Sequence, residues 1–201
     1  MKLSIIIVNY NTYTLTKQTI ESVFNVNPSF KYEIILVDNA SKDDSISKIK
    51  EWLNHHQYKD KVEIIINSEN LGFSKANNIG IKKATGEYIL LLNSDTYIIE
   101  DCLEKCMSYI ENNKYIGALG CKVILPNGAL DHACKRGFPT PKASLYYFLK
   151  LHKINPVKYG AYDALHLGED EVGEVDVLMG AFMLMPRTVL DEIGLLDERF
   201  F

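Results

Sequence analysis

The chain has 201 residues, 47% of them apolar, which is enough to bury one good core without division into separate domains. A formal charge of −4 argues against a nucleic-acid partner, which calls for a basic surface. The longest apolar runs fall far short of the ~20 residues a membrane span requires, and no signal-peptide cleavage pattern follows Lys2. The expected location is therefore the cytoplasm, including the inner face of the cell membrane.

Residues 3–8, apolar except for Ser4, are read as a buried strand that ends in Asn9, Tyr10 and Asn11. Asn11 or Thr12 caps a helix with the stripe Leu15, Ile20, Val23 and Phe24, stopped by residues 25–28. A second strand over 34–37 closes on Asp38, Asn39 and Ser41, and a helix over 43–53 carries Ile46, Ile49 and Leu53 on one face. Residues 62–66 form a third strand. This alternation predicts an α/β fold with a doubly wound, mostly parallel sheet suited to nucleotide binding. The turn Asn70-Leu71-Gly72 opens a third helix over 74–84, whose stripe of Phe73, Ala76, Gly80 and Ala84 favours close packing on the sheet, and Gly86 ends it.

Five apolar or aromatic residues then run from Tyr88 to Leu92, as in a strand buried on both faces, with Asn93, Ser94 and Asp95 where it leaves the sheet. Ligands of open α/β sheets bind beyond the carboxyl ends of the strands. A carboxylate at Asp95 is placed to hold Mg²⁺ or Mn²⁺ against a diphosphate, although a plain strand-end turn explains the same residues. Asp38 ends its strand at the same sheet edge and suits a hydrogen bond from a base or ribose, or an Asx-turn. A fourth helix over 100–110 turns Leu103, Cys106 and Ile110 inward.

Beyond it, 117–125 reads as a strand and 126–128 as a turn. Residues 131–171 are irregular, aromatic and basic, with a short helix near 142–151. A strand over 174–185 and a helix over 187–193 follow. The second part, 117–201, reads as an elaboration of the same sheet as 1–116, giving a single domain.

No G-x-G-x-x-G or G-x-x-x-x-G-K-[ST] occurs, which removes the main support for a dinucleotide-dependent oxidoreductase or a P-loop. His55, His56, His132, His152 and His166 have no metal-ligand spacing, and Cys102, Cys106, Cys121 and Cys134 form no Cys-x-x-Cys and read as reduced.

The segments SIIIVNYNT, ILVDNAS, NLGFSKANNIGIKKATGEYILLLNSDT and VDVLMGAFMLMPR, in this order and spacing, resemble the family 2 glycosyltransferases. These are inverting enzymes of the GT-A fold, and the likeness is strongest to the rhamnosyltransferase-type branch. The resemblance implies that Asn9, Tyr10 and Asn11 line a base pocket backed by Val8, and that Asp38 binds the nucleobase. It places Asn70, Gly72 and Asn77 along the ribose and diphosphate. Asn93-Ser94-Asp95 stands at the Asp-x-Asp motif, with Asp95 as the ligand of Mg²⁺ or Mn²⁺ and Asn93 departing from the usual first Asp. Gly180 and Ala181 match the segment beside donor sugar and acceptor, with Asp176 just upstream.

Family members follow DERFF with an aromatic stretch and a Glu-Asp pair holding the general base, so the resemblance implies a chain ending at Phe201 before its base. Such a chain is expected to bind donor but transfer poorly, and to leave Leu195, Leu196, Phe200 and Phe201 poorly covered, a route to self-association. Asp176 and Asp197 are the nearest carboxylates within it, and both read first as acceptor contacts or structure. The implied partners are a nucleotide-diphosphate sugar and a glycan or lipid-linked acceptor, with peripheral membrane association and homo-oligomerisation open. A non-catalytic nucleotide-sugar-binding module and a sugar nucleotidyltransferase are the rival readings, and NYNTYT is not the Gly-rich basic loop that the latter needs.

Overall fold

A computed structural model describes residues 1–200, so the expectation for Phe201 lies outside the described residues. In chain order the elements are β1 (Leu3–Asn9), α1 (Tyr13–Val26), β2 (Tyr32–Asp38), α2 (Ser45–Asn54), β3 (Val62–Ile66), α3 (Gly72–Lys83), β4 (Tyr88–Asn93) and α4 (Cys102–Asn112). There follow β5 (Lys135–Arg136), α5 (Pro141–Phe148), α6 (Pro156–Tyr159), β6 (Val177–Leu178), β7 (Phe182–Pro186) and α7 (Arg187–Ile193). The chain divides into two compact units, one built from Met1–Leu119 with the segment from Gly180 onward, the other from Gly120–Met179.

The first unit holds a five-stranded sheet in the order β3-β2-β1-β4-β7. The first four strands are parallel and β7 runs antiparallel to β4, so the sheet is mixed. β1, β2 and β4 are central, and their Ile- and Leu-rich runs are buried almost throughout. At the edge, β3 stays half exposed. The α3 stripe does what its small residues predict. A Cβ on Gly80 would lie 2.4 Å from Ile6 Cγ2, so only glycine admits this helix so near β1. Ala76, Ile81 and Ala84 complete that contact with Ile6, Ile35, Val37, Ile89 and Leu91. Arg187 closes the far end of α3, donating from Nε to the Gly86 carbonyl (2.7 Å) and from Nη2 to that of Ala84 (2.8 Å).

Several expectations are corrected. Residues 117–125 form no strand, only two isolated bridges: Leu119 to Leu184 in the first unit, and Ile124 to Leu130 across the turn in the second. The run 174–185 is two strands, because Gly180 interrupts it where a Cβ would come 3.1 Å from the Phe73 ring. Leu15 and Phe73 are exposed rather than inward, and in α4 Met107 takes the buried place assigned to Cys106. Leu196 packs against the core, whereas Phe200 is exposed. No helix is long and apolar enough to cross a membrane among the described residues.

The second unit contains the two-stranded sheet of β5 and β6 with short helices. Half-buried and exposed rings contact one another there: Tyr147 stacks on Tyr162 at 4.5 Å between ring centroids and on His152 at 5.5 Å, and Tyr146 meets Tyr159 edge-on at 4.8 Å.

Candidate functional site

The strand register aligns Asn9 with Asp38 and Val8 with Asn93, so the carboxyl ends of β2, β1 and β4 stand side by side. Two strand spacings separate Asp38 from Asn93, about 10 Å. Every expected site residue except Asp176 and Asp197 lies at or near this edge of the first unit.

Asn9 is fully buried and acts as a hub. Its amide donates to Asp38 Oδ1 (2.7 Å) and Ser41 Oγ (2.9 Å), while its Oδ1 accepts from Thr12 Oγ1 (3.0 Å) and Thr16 Oγ1 (2.7 Å). An Asn side chain offers two donor hydrogens and two acceptor positions, so all four are used inside the protein. Asn9 therefore stands behind Asp38 and holds it, while Tyr10 is exposed at the rim. Asn11 latches the two strand-end loops together: its N–H donates to Ser41 Oγ (2.9 Å) and its Oδ1 accepts from Lys42 N (2.7 Å).

Asp38 is only 2% exposed, yet it lines a cleft of about 610 Å³ with Tyr10, Ala40, Lys42, Ile66, Asn67 and Asn70. Its Oδ1 accepts from Asn9 and from Ser41 Oγ (2.6 Å), and its Oδ2 from Ser41 N (3.1 Å). A carboxylate has about four acceptor positions, so one on Oδ2 remains for a ligand. Ala40 sits in the left-handed region at φ +61°, a conformation that costs a non-glycine residue about 1–2 kcal/mol. This turn separates Ser41, which reaches back to Asp38, from Asn39, which reaches the other way.

Asn39, which the sequence marks only as a strand end, organises the second wall. Its amide donates to Asn70 Oδ1 (2.7 Å), and its Oδ1 accepts from Asn67 Nδ2 (3.1 Å) and Leu71 N (3.0 Å). Asn70 Oδ1 also accepts from Gly72 N (3.0 Å), closing an Asx-turn at the start of α3. Asn77 lies buried one turn in, donating to the Phe73 carbonyl (2.9 Å).

At the end of β4 the backbone N–H of Asn93 donates to the Ala181 carbonyl (3.0 Å), which Thr96 Oγ1 also approaches (3.4 Å). The exposed ring of Phe73 lies against Gly180. The structure thus brings the Gly180-Ala181 segment beside Asn93-Ser94-Asp95. The Asp95 carboxylate is exposed and makes no hydrogen bond or ion pair among the described residues. No group of three or more His, Cys, Asp or Glu suited to a metal occurs among them either. One free carboxylate beside amide and hydroxyl oxygens fits Mg²⁺ or Mn²⁺ shared with phosphate oxygens and water, and does not fit an all-protein cage.

Asp197 and Asp176 are already engaged. Arg199 grips Asp197 through Nε (2.9 Å) and Nη2 (2.6 Å), holding its carboxyl below the usual carboxylate range. Asp176, in the second unit, accepts from Phe138 N (2.8 Å) and braces β6 against the 137–138 turn. Asn78, another residue not foreseen, secures the segment after α7: it donates to the Leu196 carbonyl (2.9 Å) and Glu198 Oε1 (3.0 Å) and accepts from Leu196 N (3.0 Å).

Among solved structures, the fold is similar to that of PcManGT, a mannosyltransferase from Pyrobaculum calidifontis in complex with GDP-Man and Mn²⁺. The TM-score is 0.69 at 20% identity over 98% of this chain and 48% of that one. TarS 1–349 of S. aureus in complex with UDP-GlcNAc gives 0.54 at 23% identity, over 78% of this chain and 48% of that one. The architecture is of the GT-A type. The hexosyltransferase Agl10 of low-salt glycan biosynthesis in Haloferax volcanii is 27% identical over 99% of this chain and 57% of its own length. The poly(ribitol-phosphate) beta-glucosyltransferase of Bacillus spizizenii is 34% identical over 60% of this chain and 19% of its own. The chain thus spans less than two thirds of these relatives. Residues 4–172 match the sequence model of glycosyl transferase family 2, and the chain belongs to that family.

Proposed function

We propose that this chain binds the donor of a glycosyltransferase that moves a hexosyl or rhamnosyl unit, with inversion, from a nucleoside diphosphate to a glycan or lipid-linked acceptor. The observation that carries this reading is the pairing of two carboxylates along one sheet edge. Asp38 has one acceptor position left at the floor of the cleft, and Asp95 is unengaged about two strands away. Asp38 takes a hydrogen bond from the ribose or base, which rests between Tyr10 and Ile66. Asn70, Gly72 and Asn77 shape the wall along the ribose and diphosphate, and Gly180 and Ala181 lie beside the sugar.

Asp95, with Asn93 and Ser94, would hold Mg²⁺ or Mn²⁺, which when bound supplies positive charge opposite the diphosphate. In the transfer, the acceptor oxygen forms a bond to the anomeric carbon as the bond to the diphosphate oxygen breaks. The electron pair leaves with the nucleoside diphosphate, and the hydroxyl proton passes to a general base. Asp197, clamped by Arg199, and Asp176, which braces a turn, are weak candidates for that base. The reading includes a place in polysaccharide or envelope-glycan synthesis in the cytoplasm.

A donor-binding module without transfer is the second reading, favoured by the engagement of both these carboxylates. Calorimetry with UDP, GDP and dTDP, with and without Mn²⁺, beside release of nucleoside diphosphate from matched sugar donors, tests both. Metal-dependent binding with turnover supports transfer, and binding with no turnover on any acceptor supports the module. Absence of nucleotide binding overturns both.

A further inference from the structure

The second unit carries a surface that the donor chemistry does not use. Between Asp131 and Asp163 the chain has six Lys or Arg and no Asp or Glu, in a protein of net charge −4. Lys135 and Arg136 are turned to internal work, Lys135 donating to the Leu167 carbonyl and Arg136 lying over the Tyr162 ring. Lys142, Lys150, Lys153 and Lys158 are exposed, and none makes an ion pair among the described residues. Some exposed lysines elsewhere have carboxylate partners, as in Lys48–Asp44 and Lys105–Asp101, and others, Lys50 and Lys75 among them, do not; what sets these four apart is that no Asp or Glu lies in the stretch that carries them.

Large apolar side chains stand among these four ammonium groups. Phe148 is 81% exposed, Ile154 78% and Val157 86%, with Leu145 and Leu149 more than half exposed. The local packing explains why. Tyr146 meets Tyr159, and Tyr147, itself part-exposed, stacks on Tyr162 and His152, while Ala143 is the one buried residue of α5, so most of the helix faces solvent. Leu145 and Phe148 are one turn apart on α5 and share a face, which Leu149 at the helix end extends. The chain then turns at Lys150, in the left-handed region at φ +56°, and Asn155 caps α6, accepting from Lys158 N (3.0 Å).

We propose that this face docks on an anionic lipid bilayer, with Phe148, Leu149, Ile154 and Val157 entering the interface and Lys142, Lys150, Lys153 and Lys158 meeting lipid phosphates. Charge complementarity selects this occupant: an acidic polymer would satisfy the ammonium groups and leave the apolar side chains in water. A bilayer satisfies both, the acyl boundary taking the apolar groups and the headgroups the charges. The proposal does not depend on the transfer reaction.

The 201-residue chain should co-sediment with phosphatidylglycerol-containing vesicles, more weakly as salt rises, and much less with phosphatidylcholine alone. Each of Lys150→Ala and Lys153→Ala should lower the partition coefficient by about fivefold, and Phe148→Ser with Val157→Ser by about tenfold or more. These positions are exposed, so circular dichroism should be unchanged. Independently, Phe148→Trp should be quenched by brominated phosphatidylglycerol beyond the quenching of the wild type. Sedimentation equal on neutral and anionic vesicles, or capture by polyglutamate but not vesicles, would overturn the proposal. Self-association lost in the same variants without vesicle binding would also overturn it, giving the face to a second copy.

Discussion

Replacing Asp38 with Ala separates ligand recognition from local structure. The carboxylate uses three acceptor positions inside the protein, toward Asn9 Nδ2, Ser41 Oγ and Ser41 N, and keeps one for the cleft. A single hydrogen bond to a charged acceptor contributes about 1.5–3 kcal/mol, so nucleoside diphosphate affinity should fall by about tenfold to 150-fold. On the proposed reading, pyrophosphate with Mn²⁺ would engage Asp95 and not the cleft floor, and its affinity should stay constant. The same substitution leaves the buried Asn9 amide without one acceptor and Ser41 without two, a stability loss of ~2–4 kcal/mol. Ser41→Ala supplies the control: it removes all three of the hydroxyl's hydrogen bonds, to Asn9, Asn11 and Asp38 Oδ1, while leaving Oδ2 in place, so it should lower stability with little change in nucleotide affinity. Calorimetry of both ligands, with urea melts of all three proteins, reads these effects apart. Equal weakening of pyrophosphate and nucleotide binding in Asp38→Ala would refute the reasoning and reduce Asp38 to a loop brace.

Asp95→Ala should abolish the Mn²⁺ dependence of nucleoside diphosphate affinity and leave Tm unchanged, because the exposed carboxylate has no protein partner; retained metal dependence in calorimetry would move the ligand elsewhere. Asn78→Ala breaks three hydrogen bonds to Leu196 and Glu198 and should cost ~1–3 kcal/mol, seen as a lower urea midpoint and faster proteolysis after α7. Burial raises the Glu33 carboxyl, but hydrogen bonds from Ser4 Oγ (2.5 Å) and from Thr85 N and Oγ1 (2.8 Å each) outweigh it and hold the native pKa below its ordinary value. That stability is present above the unfolded-state pKa of about 4.3 and is lost as pH falls through the lower native value, so Glu33→Gln should flatten the acid limb of Tm against pH. An identical acid limb in the variant would contradict the assignment.

The central strands were readable from the sequence because burial on both faces forces continuous apolar runs, as in residues 5–8 and 88–92. Their polar ends were equally readable, since Asn9, Asp38 and Asn93 interrupt such runs abruptly. What periodicity could not convey was the division of labour among those polar residues. Asn9 and Asp38 look alike in sequence, yet one is saturated by two threonines, a serine and a carboxylate, while the other retains an open position. Asn39 and Ser41 lay in the quoted ILVDNAS segment, but their opposite reach depends on the left-handed turn at Ala40, which an alanine does not advertise. Phe73 fell on a helical stripe by spacing and is exposed because it lies at the first turn of α3, against Gly180. The strands over 117–125 and 174–185 failed for a tertiary reason, both being cut where the chain passes between its two units.

The account rests on one claim, that nucleotide and metal meet along the edge formed by β2, β1 and β4. Crystals of the chain soaked with a nucleoside diphosphate and Mn²⁺, with data collected at the manganese edge, test it most directly. The expected result is an anomalous peak in coordinating contact with Asp95 and the diphosphate, with the nucleoside in the cleft within hydrogen-bond distance of Asp38 Oδ2. A nucleotide bound elsewhere, or a manganese peak remote from Asp95, would contradict the account.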